Sequence, residues 1–423
     1  MSSGKTMVTA ASLATAVLIA TSACAGESAG GQVTLRFAYW GSDVRQQRTE
    51  EAIRKFEARH PHIDVVGEFS GFGGYYDRLA TNVAGGSTPD VITIEIRGLR
   101  EYAERGTLAD LSGEVDTAGI DSKVLATGAI GGKQFAIPTG VNAWCLVADP
   151  EAIEAAGQRL PDDATWTWEE YIRLAARITA RTGGKVHGTQ QAFNPAFLQI
   201  FAAQRGEPFY DGSRLGISAG TIKAWWAVHR KLIATGAPRR RQEHRPRRPE
   251  RRRVAVRHRQ RRHGHVVEQR VRRDQQGVGR QEDGAAADAE GTAGRPGGMF
   301  LQPAMFYTAS AKSAHQAEAA EFIDFMVNDP EAGAIILSDR GLPANSNVLA
   351  AVRDDLPEAD KKTLAFLDEI RDELADPPAA PPKGASAMEA VLKRYTDEVL
   401  FGRMPADAAA RKFITEANAL IAG

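Results

Sequence analysis

The stretch RLATNVAGGSTPDV, residues 78–91, decides the fold together with the longer segment 35–95 in which it lies. The pattern of this region predicts a strand, a helix, a strand, a helix and a strand, in that order, at 33–40, 48–59, 60–65, 71–83 and 90–96. Strands and helices that alternate at this spacing are typical of a parallel sheet. The sequence therefore predicts an α/β fold that begins here.

The loops that follow the predicted strands carry polar and aromatic side chains. They comprise residues 40–43, with the sequence WGSD, and residues 95–97, with the sequence EIR. Parallel sheets bind their ligands at the loops that follow the C-terminal ends of the strands. We therefore expect a cleft at this edge, and we expect the rest of the chain to complete and close it.

The remainder of the chain predicts mainly helices around further strands. The helix in TWTWEEYIRLAARITA, residues 165–180, has Thr167 as its N-cap and Glu170 three positions later, the spacing of a capping box. An apolar strand is predicted at 299–309, and Pro330 starts a helix that we expect to end at Gly341. With 423 residues, of which 43% are hydrophobic and 25% charged, the chain suggests a globular protein of two lobes.

The N-terminus has the features of a targeting signal. The apolar run at 10–20 is too short to anchor the chain in a bilayer, and TSAC follows at 21–24. This arrangement resembles a bacterial lipoprotein signal, in which Cys24 would carry the lipid after cleavage. A plain secretory signal is the alternative. The only other cysteine, Cys145, lies in NAWCLVA and is expected to be a small buried apolar residue.

One segment differs sharply in composition from the rest. Residues 239–280 contain 17 arginines and no lysine, and residues 239–298 contain no Leu, Ile, Phe, Tyr, Trp, Met, Asn, Ser or Cys. Such a stretch cannot bury a core. Its four histidines, at 244, 258, 263 and 265, match no zinc-binding spacing.

Three explanations of this segment are open. It is an Arg-rich arm that binds nucleic acid or an anionic surface, or a disordered linker, or a stretch translated out of frame from G+C-rich DNA. We favour the third, because a selected basic arm would mix lysine with arginine. The chain has 53 basic and 53 acidic residues. Without the 17 arginines and four acids of residues 239–280, 36 basic and 49 acidic residues remain, a formal charge of about −13.

Several blocks in a fixed order resemble a known family. They are WGSD, FEARHPHIDV, YYDRLATNVAGGSTPDVI, LREYAERGTLADLS, TGVNAWCLVADPEAI, TWTWEEY, SAKSAHQAEAAEFIDFMVNDPEAG and RGLPAN. These blocks look like the sugar-type extracellular solute-binding proteins, the lipid-anchored receptors of bacterial ABC importers. The resemblance covers about 30–237 and 299–423 and fails across 238–298.

The resemblance implies a two-lobe fold of the type II periplasmic-binding-protein class. Each lobe would have a central sheet flanked by helices, and crossover strands would join the lobes at a hinge. We expect a signal peptide at 1–24, a tether at 25–31, lobe 1 at 32–140 and 299–338, lobe 2 at 141–237 and 339–423, and the anomalous segment at 238–298.

A carbohydrate site needs aromatic rings for the apolar C–H faces of the sugar and planar polar groups for its hydroxyls. The candidates are Trp40, Asp90, Glu95, Asn142, Trp144, Phe193 and Asn194. The resemblance implies that the positions of Trp40, Glu95 and the stretch 142–144 fall at the cleft. Packing is the alternative for Trp40, and a surface or helix-cap role for Glu95. Asp90 could instead cap a turn and hold its strand. Tyr76 and Trp225 are expected in the core.

Catalysis is not expected. A glycosidase needs two carboxylates that face each other, whereas the pairs at 50–51 and 169–170 are adjacent on helices. The chain contains neither a P-loop nor an HExxH motif. No cofactor and no metal is expected.

The sequence thus predicts a monomeric substrate-binding lipoprotein, held on the outer face of the cell membrane by Cys24, that binds a carbohydrate and serves an ABC permease. A receptor for a polyol, sugar phosphate or other small polar solute is one alternative. A surface protein that binds nucleic acid or another polyanion through its arginines is the other, although we expect no nucleic-acid partner.

The frame of the anomalous segment can be tested on the gene. If codons 238–298 are out of frame, another frame will encode an amphipathic segment that contains leucine and lysine. Resequencing the gene and translating all three frames is the measurement. Should no frame yield such a segment, the frameshift hypothesis is wrong.

Overall fold

The computed structural model describes residues 31–162, 165–190, 194–239 and 298–422. The strands are β1 Val33–Trp40, β2 Ile63–Ser70, β3 Val91–Ile94, β4 Ala129–Ile130, β5 Lys133–Gln134, β6 Ile137–Ala143, β7 Thr189–Gln190, β8 Tyr210–Asp211, β9 Arg214–Leu215, β10 Pro238–Arg239, β11 Leu301–Ala309 and β12 Leu342–Pro343. None of the helices in these ranges is both long and apolar enough to cross a bilayer.

The α-helices make up most of the remaining structure. They are α1 Asp43–Arg59, α2 Phe72–Ala84, α3 Ile96–Glu104, α4 Ser122–Ala126, α5 Pro150–Ala155, α6 Trp168–Arg181, α7 Pro195–Gln204, α8 Ala219–Ala234, α9 Gln316–Asn328, α10 Pro330–Ile336, α11 Ser346–Val352, α12 Glu358–Glu369, α13 Met388–Leu400 and α14 Ala406–Ala422. Short 3₁₀ turns occur at Arg353–Asp355, Arg371–Glu373 and Ala385–Ala387.

Six strands form one sheet in the order β12-β6-β11-β3-β1-β2. β1 is parallel to both β2 and β3, while β11 is antiparallel to β3 and β6. The strand–helix–strand–helix–strand order of β1 to β3 confirms the predicted α/β start of the chain. The first helix begins at Asp43, earlier than predicted, because the Ser42 side chain accepts a hydrogen bond from the Arg45 N–H and caps it.

β1 sends its side chains alternately into two cores. Leu35, Phe37 and Tyr39 pack in a core with α1 and α9. Ala38 and Trp40 belong to a second core, which includes side chains of α2 and α3. Because side chains alternate across a strand, helices on both faces of the sheet bury the C-terminal half of β1, from Phe37 to Trp40, whereas Thr34 at its start is exposed.

A second body is built mainly from helices. One hydrophobic core combines buried side chains of α6, α7, α8, α13 and α14. The strands described there are the two-residue pairs β7–β10 and β8–β9. The central sheet implied for this lobe is thus seen only as short pairs, and the segment 240–297, which would supply further strands, lies outside the described residues.

One predicted limit is corrected by the structure. The helix that starts at Pro330 ends at Ile336 and not at Gly341, because Leu337 adopts a positive φ of 50° that no α-helix continues. β12 joins the six-stranded sheet through its pairing with β6. The predicted limits of the two lobes stay predictions.

The contact of β6 with β12 gives a stability prediction. A Cβ atom at Gly140 would lie 2.3 Å from the Arg340 carbonyl oxygen and 2.8 Å from that of Leu342. Gly140→Ala should therefore lower the free energy of unfolding by about 1–3 kcal/mol, the usual effect of overpacking. Urea denaturation measures it. Gly73→Ala in α2 is the control, because no atom lies within 4 Å of the point that its added methyl group would occupy. An equal loss of stability in both variants would show that the close contact at Gly140 is not the cause.

Candidate functional site

The C-terminal ends of β1 and β3 bring two of the predicted residues together. Trp40 is the last residue of β1, and Glu95 directly follows β3. Since Ala38 lies opposite Ile92 in these parallel strands, Trp40 is level with Ile94. Both side chains thus belong to the same edge of the sheet, the edge at which such sheets bind ligands.

Aromatic rings cover this edge. The Trp40 ring centroid lies 4.8 Å from that of Tyr75, 5.7 Å from that of Phe72 and 5.9 Å from that of Tyr76. Trp40 itself is only 6% exposed, whereas Phe72 is 41% exposed. Trp40 is therefore a buried packing partner of the other rings, and Phe72 is the ring that a ligand could reach.

Two tyrosines tie the cluster to the strands. The Tyr75 hydroxyl lies 2.7 Å from the Thr93 carbonyl oxygen and 3.2 Å from that of Ala38, so it links β3 and β1. The Tyr76 hydroxyl accepts a hydrogen bond of 2.9 Å from the Glu95 N–H. Burial, and next the charge of Glu95, raise the pKa of Tyr76. Its phenol is therefore protonated at neutral pH and keeps an O–H to donate.

One arginine connects the two bodies of the protein. Arg97 donates to the Glu95 carboxylate at 2.8 Å and, through its other terminal nitrogen, to the Glu389 carboxylate at 2.7 Å. Glu389 lies at the start of α13, which packs in the helical body. Burial opposes the charge of Arg97, but the two carboxylates outweigh it and raise the pKa of the guanidinium.

Tyr210 of the helical body lies within range of the charge of the same arginine. It belongs to the hairpin of β8 and β9. Burial raises the pKa of its phenol, and the positive charge of Arg97 acts in the opposite direction. The contacts of Arg97 with Glu95 and Glu389 thus join the two bodies. We call these three residues, together with the nearby Phe72, Tyr76 and Tyr210, the junction site.

Asp90 does not belong to the junction site. It precedes β3, at the opposite end of that strand from Glu95. Its carboxylate accepts from the Arg36 N–H at 2.9 Å and from the Ser313 hydroxyl at 2.5 Å. These contacts fit the alternative role considered for Asp90, in which its side chain fixes the position of strand β3.

Asn142 and Trp144 lie far from Trp40. Phe306 pairs with Ile94 on one side and with Pro138 on the other, so Ile94 and Pro138 lie at the same level of the sheet. Trp144 follows Pro138 by six residues and therefore lies roughly 20 Å further along the strand direction. The Trp144 indole N–H donates to the Gln302 side chain at 2.7 Å, and its ring contacts Phe197.

The surroundings of these two residues differ from a polar sugar site. Trp144 lines a small apolar cavity of about 40 Å³ in the helical body. Asn142 lies opposite Gln302, and its side chain has no hydrogen-bond partner among the described residues. The predicted group of Trp40, Glu95 and Trp144 therefore does not converge on one point.

The remaining predictions have separate outcomes. Asn194 is the N-cap of α7, and its side-chain oxygen accepts from the Ala196 N–H at 2.9 Å. Phe193 and Cys24 lie outside the described residues. Within the ranges that the structure covers, His, Cys, Asp and Glu side chains form no group that could hold a metal ion.

Sequence reasoning missed Glu389 and Tyr210. It assigned Tyr76 to the core, and Tyr76 does pack against the core, while its hydroxyl also reaches the Glu95 N–H. Glu389 is 292 positions from Arg97, and no local pattern indicates that the two side chains meet. The available signal was Arg97 itself, a charged residue close to Glu95 at the ligand-binding edge of the sheet.

Part of the chain is similar in sequence to known proteins. Residues 41–234 match the family model of bacterial extracellular solute-binding proteins. An uncharacterized lipoprotein from the oleD 5′ region of Streptomyces antibioticus is 31% identical over 181 residues, 41% of this chain and 40% of that protein. The lactose-binding protein of Rhizobium radiobacter is 26% identical over 238 residues, 54% of either chain. The chain thus spans about half or less of the length of these relatives.

A solved structure resembles the chain over a wider range. The periplasmic oligogalacturonide-binding protein of Yersinia enterocolitica, in complex with saturated digalacturonic acid, superposes with a TM-score of 0.72 at 19% identity. The superposition covers 92% of this chain and 99% of that one. At this identity the likeness shows the fold, a two-lobe type II periplasmic-binding-protein fold. Together with the family match, it confirms the resemblance to extracellular solute-binding proteins.

Proposed function

We propose that this chain, similar to extracellular solute-binding proteins, is the substrate-binding subunit of an ABC importer. It captures a carbohydrate between its two lobes and delivers it to the permease. The observation that carries the proposal is the junction site, where Arg97 joins Glu95 of one lobe to Glu389 of the other. A ligand held at this position contacts both lobes and stabilises their closed arrangement.

The groups at the junction site suit the chemistry of a sugar. Phe72 exposes an apolar ring on which a C–H face can stack. Arg97 uses one oxygen each of Glu95 and Glu389. The other oxygen of each carboxylate can accept hydrogen bonds from sugar hydroxyls, and the hydroxyls of Tyr76 and Tyr210 can donate to them.

The proposal includes an anchor and excludes chemistry on the ligand. After cleavage of the signal, a lipid on Cys24 would hold the protein at the outer face of the membrane, with residues 25–31 as a tether. The pentapeptide GESAG at 26–30 has the G-x-S-x-G spacing of serine hydrolases, but that motif requires a strand-to-helix turn, and these residues would form the tether.

The two alternative functions would depend on different residues. A receptor for a small polar solute other than a sugar would use the same carboxylates and arginine but not the exposed ring of Phe72. A polyanion-binding protein would depend on residues 239–280 and not on the junction site. The relative that binds lactose and the fold relative that binds digalacturonic acid favour a sugar.

A panel of sugars tests the proposal. A bound sugar should raise the midpoint of thermal unfolding of the full chain, because it binds only the folded state. Glu389→Gln should weaken that sugar about tenfold, as expected when a hydrogen bond to a charged group is lost. Glu114→Gln is the control, since Glu114 is exposed and lies outside the junction site. Isothermal titration gives the dissociation constants.

The same preparation separates the alternatives. If heparin or DNA binds, salt weakens that binding, and deletion of 239–280 abolishes it, the polyanion alternative replaces our proposal. A thermal shift with a polyol or sugar phosphate, and with no sugar, would favour the other solutes.

The anchor has its own test. Cys24→Ser should release the protein from the membrane fraction of a bacterial host and abolish its labelling by a radioactive fatty acid, because the thiol that would carry the lipid is removed. Cys145→Ser is the matched control and should stay anchored and labelled. A Cys24→Ser protein that remains lipid-labelled in the membrane fraction would show that the anchor lies elsewhere.

A further inference from the structure

A second concave surface adjoins the junction site. It is a groove of about 730 Å³ between α3, the β8–β9 hairpin and the segment 375–383. This volume lies within the range of about 300–1,000 Å³ that is usual for ligand sites. We call it the side groove.

The side groove is continuous with the junction site. Arg100 and Glu104 line it, and with Arg97 they occupy positions i, i+3 and i+7 of α3, which share one face of the helix. Tyr210, which the junction site includes, also lines it. A ligand that begins at Arg97 can therefore extend along this face of α3 without leaving the protein surface.

The walls offer apolar rings and uncommitted polar groups. Phe209 and Phe300 are each only 6% exposed and form the apolar floor of the groove. Tyr210 stands edge to face with Phe209 at a centroid distance of 4.9 Å, and it is the ring that a ligand can reach. The side chains of Gln199, Ser213 and Tyr210 have no hydrogen-bond partner among the described residues. Rings and free hydroxyl or amide groups in one groove are the combination that sugar units require.

The charged side chains of the groove are already committed. Arg100 pairs with Glu104 and donates to the carbonyl oxygens of Ala380 and Pro381. Both carboxylate oxygens of Glu207 accept hydrogen bonds from Ser218.

The same holds for the remaining charges on the rim. Asp376 pairs with Lys123, and Lys383 has a partner as well. Among the lining residues that the structure describes, no cation therefore stays free to pair with a carboxylate of a ligand. This favours a neutral sugar over an acidic one.

We propose that the side groove is a binding site for further units of a neutral oligosaccharide, whose first unit lies at the junction site. The inference rests on the proposed function and adds ligand length and charge to it. The natural ligand then has at least two sugar units, and the groove residues contribute to affinity only when the second unit is present.

A series of sugars of increasing length tests this inference on the full chain. The probes are glucose, maltose and maltotriose, galactose and lactose, and digalacturonic acid, each titrated by calorimetry. For the sugar type that binds, we expect the longer form to bind at least tenfold more tightly than the monosaccharide, and digalacturonic acid to bind less tightly than the neutral disaccharide.

Two variants locate the extra affinity. Ser213→Trp places a large ring at the exposed turn of the hairpin, and Gln199→Ala removes an amide that lines the groove and lies outside the junction site. Both should weaken the longer sugar several-fold relative to the monosaccharide. The matched controls are Ala350→Trp on the exposed side of α11 and Gln47→Ala on the exposed side of α1, neither of which lines the groove.

The outcomes separate the two proposals. Equal affinity for all lengths, or equal loss for short and long sugars in the groove variants, overturns the side groove and leaves the proposed function standing. Tighter binding of digalacturonic acid than of the neutral disaccharides overturns the neutral class. A panel in which no sugar binds overturns the proposed function and this inference together.

Discussion

The burial of the C-terminal half of β1 on both of its faces is the constraint on which the rest of the structure depends. Leu35 and Phe37 are inaccessible to solvent on one face, and Ala38 and Trp40 are nearly so on the other. Burial of a large apolar side chain contributes about 1.5–3 kcal/mol relative to exposure. A shift of one residue would exchange the two faces, so the register of β1 is strongly specified. That register sets Trp40 beside the start of α3 and thereby fixes where Glu95 and Arg97 stand.

The contact between the lobes is weak by comparison. Arg97 and Glu389 are 40% and 51% exposed, and an ion pair at such exposure contributes only about 0.2–1 kcal/mol. The pair of Arg45 with Asp339, which joins α1 to the segment after α10, is far less accessible at 8% and 14%. This buried pair helps to hold these elements together, whereas the exposed pair can open. Under the proposed function this difference matters, because the lobes must separate to release a ligand.

Sequence reasoning succeeded where local chemistry decides the structure. The capping box of Thr167 and Glu170 forms as the sequence indicates, because a cap depends on residues three positions apart. It was less successful at the candidate site. Trp40 lies beneath Phe72, a fact set by the packing of α2 and not by the strand that carries Trp40. The junction of Arg97 with Glu389 arises from tertiary contact alone, and Asp90 faces the other end of the sheet.

The chain order of the junction site has a consequence for biosynthesis. Phe72, Glu95 and Arg97 emerge early from the ribosome, and Tyr210 follows near the middle of the chain, but Glu389 belongs to one of the last helices. A nascent or C-terminally truncated polypeptide thus lacks the Glu389 carboxylate and its contact with Arg97. Under the proposed function, tight binding of a solute at the junction site therefore requires synthesis of nearly the entire chain.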